Sequence, residues 1–255
     1  MTIFDSIDIY QALILMVIGL MAGVINTLAG GGSNLSLPAL MMYGLPADVA
    51  NATNRVSVFM QSLTAARGFY QHDKLDTTSI KDSFFPLFIG GLVGAITASY
   101  LNVELLKPLL LGTMIVVSLW VIFKSDTNTV DIGKRKSCYD SKLGLLATFA
   151  AGFYGGFIQA GVGFVLIATF VGMLNYDLLR ANAMKVVATV VFTSIALVVF
   201  IVRDQIAWLP GILLGVGSIV GAQIAVKFAV EVKAKTLKIM VLVMTIFASA
   251  AAYFQ

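Results

Sequence analysis

Two apolar runs in this chain are too long to cross a bilayer once and somewhat short to cross it twice, and each is interrupted by glycine. Residues 10–44 would form about 52 Å of helix at 1.5 Å per residue, against a hydrocarbon core of about 30 Å. Residues 143–174 behave alike. Six further apolar runs, 46–69, 84–101, 105–123, 178–202, 206–226 and 237–254, bring the total to eight. Only 12% of the 255 residues are charged and 59% are hydrophobic, whereas a soluble domain carries about 25% charged residues. The chain cannot clothe a soluble globule, and the expected fold is an all-α membrane protein embedded in a lipid bilayer.

The hydrophilic stretch 124–142 divides the eight runs into two sets of four. The expected organisation is a first transmembrane repeat over 1–123, a basic linker over 124–142 and a second repeat over 143–255. One ungapped shift of 131 places Ala160-Gly161-Val162-Gly163 on Ala29-Gly30-Gly31-Gly32 and Ala181-Asn182-Ala183 on Ala50-Asn51-Ala52. Internal repeats of this kind are common in transporters.

Positive charge orients the segments. With eight single crossings, Lys and Arg outside the apolar interiors divide 9 to 6 between the two sides. If each glycine-broken run instead returns to its own side as a helical hairpin, the division becomes 13 to 2, leaving only Lys107 and Arg203 outside. That bias predicts a cytoplasmic linker, extracytoplasmic termini and two repeats inserted in opposite orientations. The first eleven residues hold Asp5 and Asp8 but no Lys or Arg, unlike the positive start of a secretory leader.

The first hairpin tip reads Asn26-Thr27-Leu28-Ala29-Gly30-Gly31-Gly32-Ser33-Asn34, followed by Pro38. Successive glycines weaken the helix and leave backbone N–H groups free to face a ligand, although small residues also serve close helix packing. Its counterpart holds Gln159, Gly161 and Gly163. Helix N-termini at such breaks favour anionic groups. Ala50-Asn51-Ala52-Thr53-Asn54-Arg55 then puts Arg55 near the bilayer midplane, and Asn182 and Lys185 lie at comparable depth in the second half. A cation at the helix centre costs roughly 2.5–3.5 kcal/mol and normally needs a partner, yet no Asp or Glu lies deep in a run. The sign of charge predicts an anionic ligand held by Arg55 and Lys185. Asn51, Thr53, Asn54, Ser33, Asn34 and the Gly30, Gly31 and Gly32 backbone are the expected donors. The rival reading is that helix carbonyls satisfy both cations, which then hold the two halves together.

Other classes are poorly served by these residues. The basic residues form no stripe for nucleic acid. Cys138 alone offers no metal cluster, and no cofactor is expected. His72 sits in a hydrophilic loop and reads as solvated, while Cys138 in the central loop reads as an unpaired thiol. Ser33 has no evident base, so no enzyme activity is expected. Asp48 and Asp177 near the mouths of two helices are expected to cap or complement their N-termini. Trp120 and Trp208 read as interfacial anchors.

The string Gly30-Gly31-Gly32-Ser33-Asn34, Pro38 and Ala50-Asn51-Ala52-Thr53-Asn54-Arg55 with Gln61 resembles the sulfite exporter TauE/SafE family, also called the toluene sulfonate uptake permeases, and the resemblance covers essentially the whole chain. It implies a bacterial or archaeal plasma-membrane transporter for sulfite, sulfonates or other sulfur-containing anions. Duplicated hairpins favour alternating access at a midplane site. An anion channel or a non-transporting scaffold uses the same residues and stays open, as does assembly into a homo-oligomer.

Overall fold

The computed structural model describes residues 8–75, 77–123 and 136–231. The last predicted apolar run, 237–254, and most of the linker lie outside the described residues. What is described is all-helical: α1 (Ile9–Leu28), α2 (Ser33–Met42), α3 (Ala47–Gln71), α4 (Thr77–Tyr100), α5 (Val103–Phe123), α6 (Lys142–Phe157), α7 (Val162–Gly172), α8 (Leu178–Val202) and α9 (Trp208–Glu231). A short 3₁₀ turn, Cys138–Asp140, leads into α6. Four of these helices are long and apolar enough to cross a membrane, over Ile9–Leu28, Ile80–Tyr100, Leu178–Val202 and Trp208–Ala229. The 25-residue α3 is long enough but polar, and Asn51, Thr53, Asn54, Arg55, Ser57, Gln61 and Ser62 on it are all buried inside the protein.

Each long apolar run is two helices, α1–α2 and α6–α7, broken at glycine. The breaks share a backbone design. Ile25 O accepts from both Ala29 N and Gly30 N, and Tyr154 O accepts from both Ile158 N and Gln159 N. A left-handed residue follows each helix, Gly30 at φ 90° and Gln159 at φ 66°. Helix ends Leu28 and Phe157, and helix starts Ser33 and Val162, differ by 129, whereas the starts of α3 and α8 differ by 131. The uniform shift of 131 therefore fits α3 and α8 but misaligns the breaks by two residues. An α7 one residue longer than α2, followed by a turn one residue longer, accounts for the difference.

Contacts do not follow chain order. α1 packs along α9, which also packs on α3, while α6 packs along α4, which also packs on α8. Both long seams rest on glycines four residues apart. On α1, Cβ atoms at Gly19 and Gly23 would stand 2.1 and 2.4 Å from the carbonyl oxygens of Leu214 and Ser218; Gly217 and Gly221 on α9 press equally on Met16 and Leu20. Gly90 and Gly94 on α4 meet the Phe149 and Phe153 carbonyls, and Gly152 and Gly156 on α6 meet those of Leu87 and Gly91. Small residues four apart let helix backbones approach in lipid, where packing rather than hydrophobicity drives association. This spacing is legible in the sequence as glycines four apart, a signal that hydropathy does not carry.

The result is two groups of helices, α1–α2–α3–α9 and α4–α6–α7–α8, that touch along α3 and α8. At one end of the molecule, Asp48, Ser99, Tyr100, Glu104, Arg203 and Gln205 line an open vestibule of about 440 Å³. At the other, Lys136 N donates to Leu174 O (3.1 Å), joining the approach to α6 to the end of α7. Cys138 Sγ there donates to Asp82 O (3.1 Å) at the start of α4.

The glycine seams give a direct test. Gly23→Val drives a side chain into the Ser218 backbone and is expected to cost about 1–3 kcal/mol by overpacking, seen as a lower unfolding temperature in detergent. Gly112, with nothing within 4 Å of its Cβ position on α5, is the control. Gly112→Ala is expected to be neutral or to stabilise by up to about 1 kcal/mol.

Candidate functional site

The last carbonyls of a helix have no intrahelical donor, and a bilayer interior supplies no water to replace one. At the end of α6, Arg55 from α3 fills that need: its Nη1 donates to Gly155 O, and its Nη2 donates to Gly156 O (3.0 Å) and Phe157 O (3.2 Å). Asn51, one turn earlier on α3, donates to Phe157 O (3.1 Å) and accepts from Arg55 Nη2 (3.2 Å). The guanidinium also lies 5.6 Å from the Phe200 ring centroid. At the end of α1 the arrangement recurs with the helices exchanged. Lys185 Nζ, from α8, donates to Asn26 O and Thr27 O, both at 2.9 Å, and to Asn182 Oδ1 at 2.6 Å.

Each cation thus caps the broken helix of the other half of the chain. Arg55 is 0% and Lys185 2% exposed, and neither has a carboxylate partner among the described residues, whose ion pair is Arg180 with Asp177 at the surface. A helix C-terminus carries about half a negative charge, so carbonyls offset part of each cation. Arg55 Nε and Asn182 Nδ2 are buried donors without a hydrogen-bond partner.

The remaining residues singled out from the sequence fall into separate groups. Asn54 Nδ2 donates to Ser33 Oγ (3.0 Å) and Asn54 Oδ1 accepts from Ser36 Oγ (2.6 Å), pinning the start of α2 to α3. Asn34 is buried beside them. Thr53 turns the other way, its Oγ1 accepting from Ala207 N (3.0 Å) ahead of α9. Gln61 bridges Asn26 Nδ2 (2.7 Å) and Thr27 Oγ1 (3.1 Å), fixing the end of α1. Gln159 donates weakly to Thr193 Oγ1 (3.4 Å) and leaves its Oε1 without a partner.

The glycines mark where the two breaks cross. Gly163 N donates to Gly30 O (3.2 Å), and a Cβ on Gly30 would stand 2.2 Å from Gly163 Cα. Gly32 lies against the Ala22 carbonyl, Gly31 against the Phe164 ring and Gly161 against Val117. Close packing at Gly30, Gly32 and Gly163, with left-handed backbone at Gly30 and Gly161 (φ 90° and 70°), accounts for the lack of side chains there. Sequence reading missed Ser36, Phe200 and the carbonyls of Gly155 and Gly156. Ser36 had a signal, three residues after Ser33; Phe200 had none.

Residues 15–252 match the family model described as sulfite exporter TauE/SafE. The chain belongs to that family. A probable membrane transporter protein of Haemophilus influenzae is 29% identical over 238 residues, 93% of this chain and 92% of its own length. The probable membrane transporter protein YfcA of Escherichia coli is 25% identical over 253 residues, 98% and 93% of the two chains. The probable membrane transporter protein YunE of Bacillus subtilis is 21% identical over 247 residues. This TauE/SafE chain is accordingly a member of a membrane-transporter family.

His72 is exposed, its Nδ1 paired with Gly68 O (2.8 Å). Asp177 caps α8, accepting from Arg180 N (3.0 Å), while Asp48 lies in the first turn of α3 with a buried Oδ1 that has no partner. Cys138 is free but not loop-like: it is 1% exposed and packed in a core cluster with Leu174 and Tyr176. Burial, reinforced by the nearby Asp82 and Asp140 carboxylates, pushes its thiol from 9.0 up to about 11. Since the thiolate is the nucleophile, a maleimide is expected to label the folded protein slowly between pH 7 and 8 and rapidly only after denaturation. Equal rates in both states would place Cys138 outside the core.

Proposed function

We propose that the protein is a secondary transporter for a small sulfur-containing anion, sulfite, a sulfonate or a related oxyanion, working by alternating access across the bacterial or archaeal plasma membrane. The observation that carries the anion reading is the pair of fully buried cations with no buried carboxylate partner among the described residues. Two unpaired cations in a low-dielectric interior create a demand for negative charge, and Arg55 Nε and Asn182 Nδ2 are donors still available to it. The sulfur specificity comes from membership of the family rather than from any residue.

The arrangement of helix ends supports the hairpin topology. α6 begins where α7 ends, at Lys136 and Leu174, and the vestibule joins the start of α3, the end of α4, the start of α5 and the end of α8. That grouping matches the sides that positive charge assigns when each broken run returns to its own side. The common break design and the exchanged cation caps support two repeats related by inversion. In this reading the vestibule faces outward and, with seven residues from Asp48 to Arg55, lies about 10 Å from the buried cation along α3.

Purified protein is expected to gain thermal stability from sulfite, thiosulfate or sulfoacetate and not from carboxylates of similar size. Arg55→Lys keeps the charge but loses the planar fork that grips oxyanions, so affinity is expected to fall about tenfold, or ~1.4 kcal/mol. Unaltered affinity in a folded Arg55→Gln, Lys185→Gln variant would leave the cations a purely structural role. Selective stabilisation by carboxylates would move the substrate outside the sulfur class.

A second expectation concerns orientation. Cysteines introduced at Asn102 and Ser141 are expected to react with impermeant reagents from opposite faces of intact cells, Asn102 from outside. Labelling of both from one side would break the proposed arrangement.

A further inference from the structure

We infer that the protein is an anion exchanger, because the two cations that a bound anion would engage also latch its two helix groups together. The inference rests on the proposed transport of an anion and adds the mode in which it proceeds.

The latch is visible in how polar contacts divide between the two helix groups. Within α1–α2–α3–α9, hydrogen bonds link Ser57 with Ser218 (2.7 Å), Ser218 with Gly19 O (2.9 Å), and Asn54 with Ser33 and Ser36. Within α4–α6–α7–α8, Gln159 reaches Thr193. The glycine seams lock each group further, because backbone lies against backbone with no side chain to yield.

Between the groups the packing is apolar. Ala52 of α3 meets Ala95 and Ala98 of α4 and Ala196 and Phe200 of α8 in one small cluster, and Leu28 and Phe69 meet Ala183 and Val186 of α8 in another. The buried hydrogen bonds that cross there come from Arg55 and Asn51 in one direction and Lys185 in the other, joined by Gly163 N to Gly30 O. Rigid groups, an apolar interface and a few strong central bonds are the features of a rocking transition with a defined release step.

Moving one group against the other without a ligand strands two cations and the carbonyls of Asn26, Thr27, Gly155, Gly156 and Phe157 in an interior that cannot solvate them. An anion between the cations removes the larger part of that penalty, because charge–charge pairing replaces charge–dipole pairing. A ligand shifts a conformational equilibrium only by its differential affinity for the two states, and here the difference is built in: the anion competes with the latch. The loaded protein reorients and the empty one does not. An inward-delivered anion must then be replaced by another before the site can return.

Vesicles containing the purified full chain test this. Uptake of radiolabelled sulfite into vesicles preloaded with unlabelled sulfite is expected to start at least tenfold faster than into empty vesicles. In Lys185→Gln, which removes one stranded charge, the ratio is expected to fall below threefold. Equal wild-type rates in loaded and empty vesicles overturn the exchange mode while leaving anion transport intact. No uptake in either, by protein that still binds sulfite, removes the transport reading and this inference with it. Should Lys185→Gln fail to fold, spin labels on Tyr70→Cys and Arg180→Cys, both at exposed positions, supply a second measurement. A second distance population is expected only when sulfite is added, and its presence in the ligand-free protein would defeat the latch.

Discussion

Everything at the centre of this molecule follows from carbonyl groups that a broken helix leaves without donors. A continuous transmembrane helix satisfies its own backbone; a helix that stops at mid-depth does not. Breaking α1 and α6 inside the protein therefore creates two sites of partial negative charge that must be met by donors from elsewhere. α3 and α8 supply them as Arg55 and Lys185, each assisted by an asparagine one turn earlier. The cations, costly in lipid by themselves, and the helix ends, costly by themselves, offset each other.

The same constraint explains why the two halves of the chain are so thoroughly exchanged. From the same half, Gln61 reaches only the side chains of Asn26 and Thr27 and leaves their carbonyls to Lys185. The charged caps arrive from the opposite half, and the long seams pair α1 with α9 and α6 with α4. Neither half of the sequence can satisfy its own broken helix. The alternating glycines of those seams serve this exchange, since the helices must approach until carbonyl oxygens touch bare Cα positions.

Much of this was legible in the sequence, and the illegible remainder has definite causes. The breaks showed as runs of the wrong length with glycine inside them. Arg55 and Lys185 showed as cations at mid-depth without acids, and the rival reading, that carbonyls satisfy them, is the one their hydrogen bonds display. Sequence periodicity could not reveal that a backbone carbonyl is the partner, since every residue has one. The two-residue error in register at the breaks has a similar origin. Ala and Gly matched at a shift of 131 because glycine occurs at several places in each break, and only helix ends fix which glycines correspond. Cys138 misled for a different reason: a polar neighbourhood in sequence, Lys136 to Lys142, surrounds a side chain that the fold buries beneath α4.

The two caps are alike in position but not in chemistry, and the difference is informative. Arg55 spreads its donors over three carbonyls and still has Nε unengaged, whereas Lys185 places one nitrogen against two carbonyls and Asn182. In the first half Asn51 spends its amide nitrogen on Phe157 O; in the second, Lys185 takes Asn26 O and Thr27 O, the counterparts of Gly155 O and Gly156 O, and Asn182 Nδ2 has no partner. A planar fork gives direction, and a point charge gives strength without direction. A strictly symmetric pair of caps would hold the helix ends equally well. The asymmetry instead leaves one spare donor beside each cation, on the cation itself in one half and on its asparagine in the other, which purely structural capping does not require.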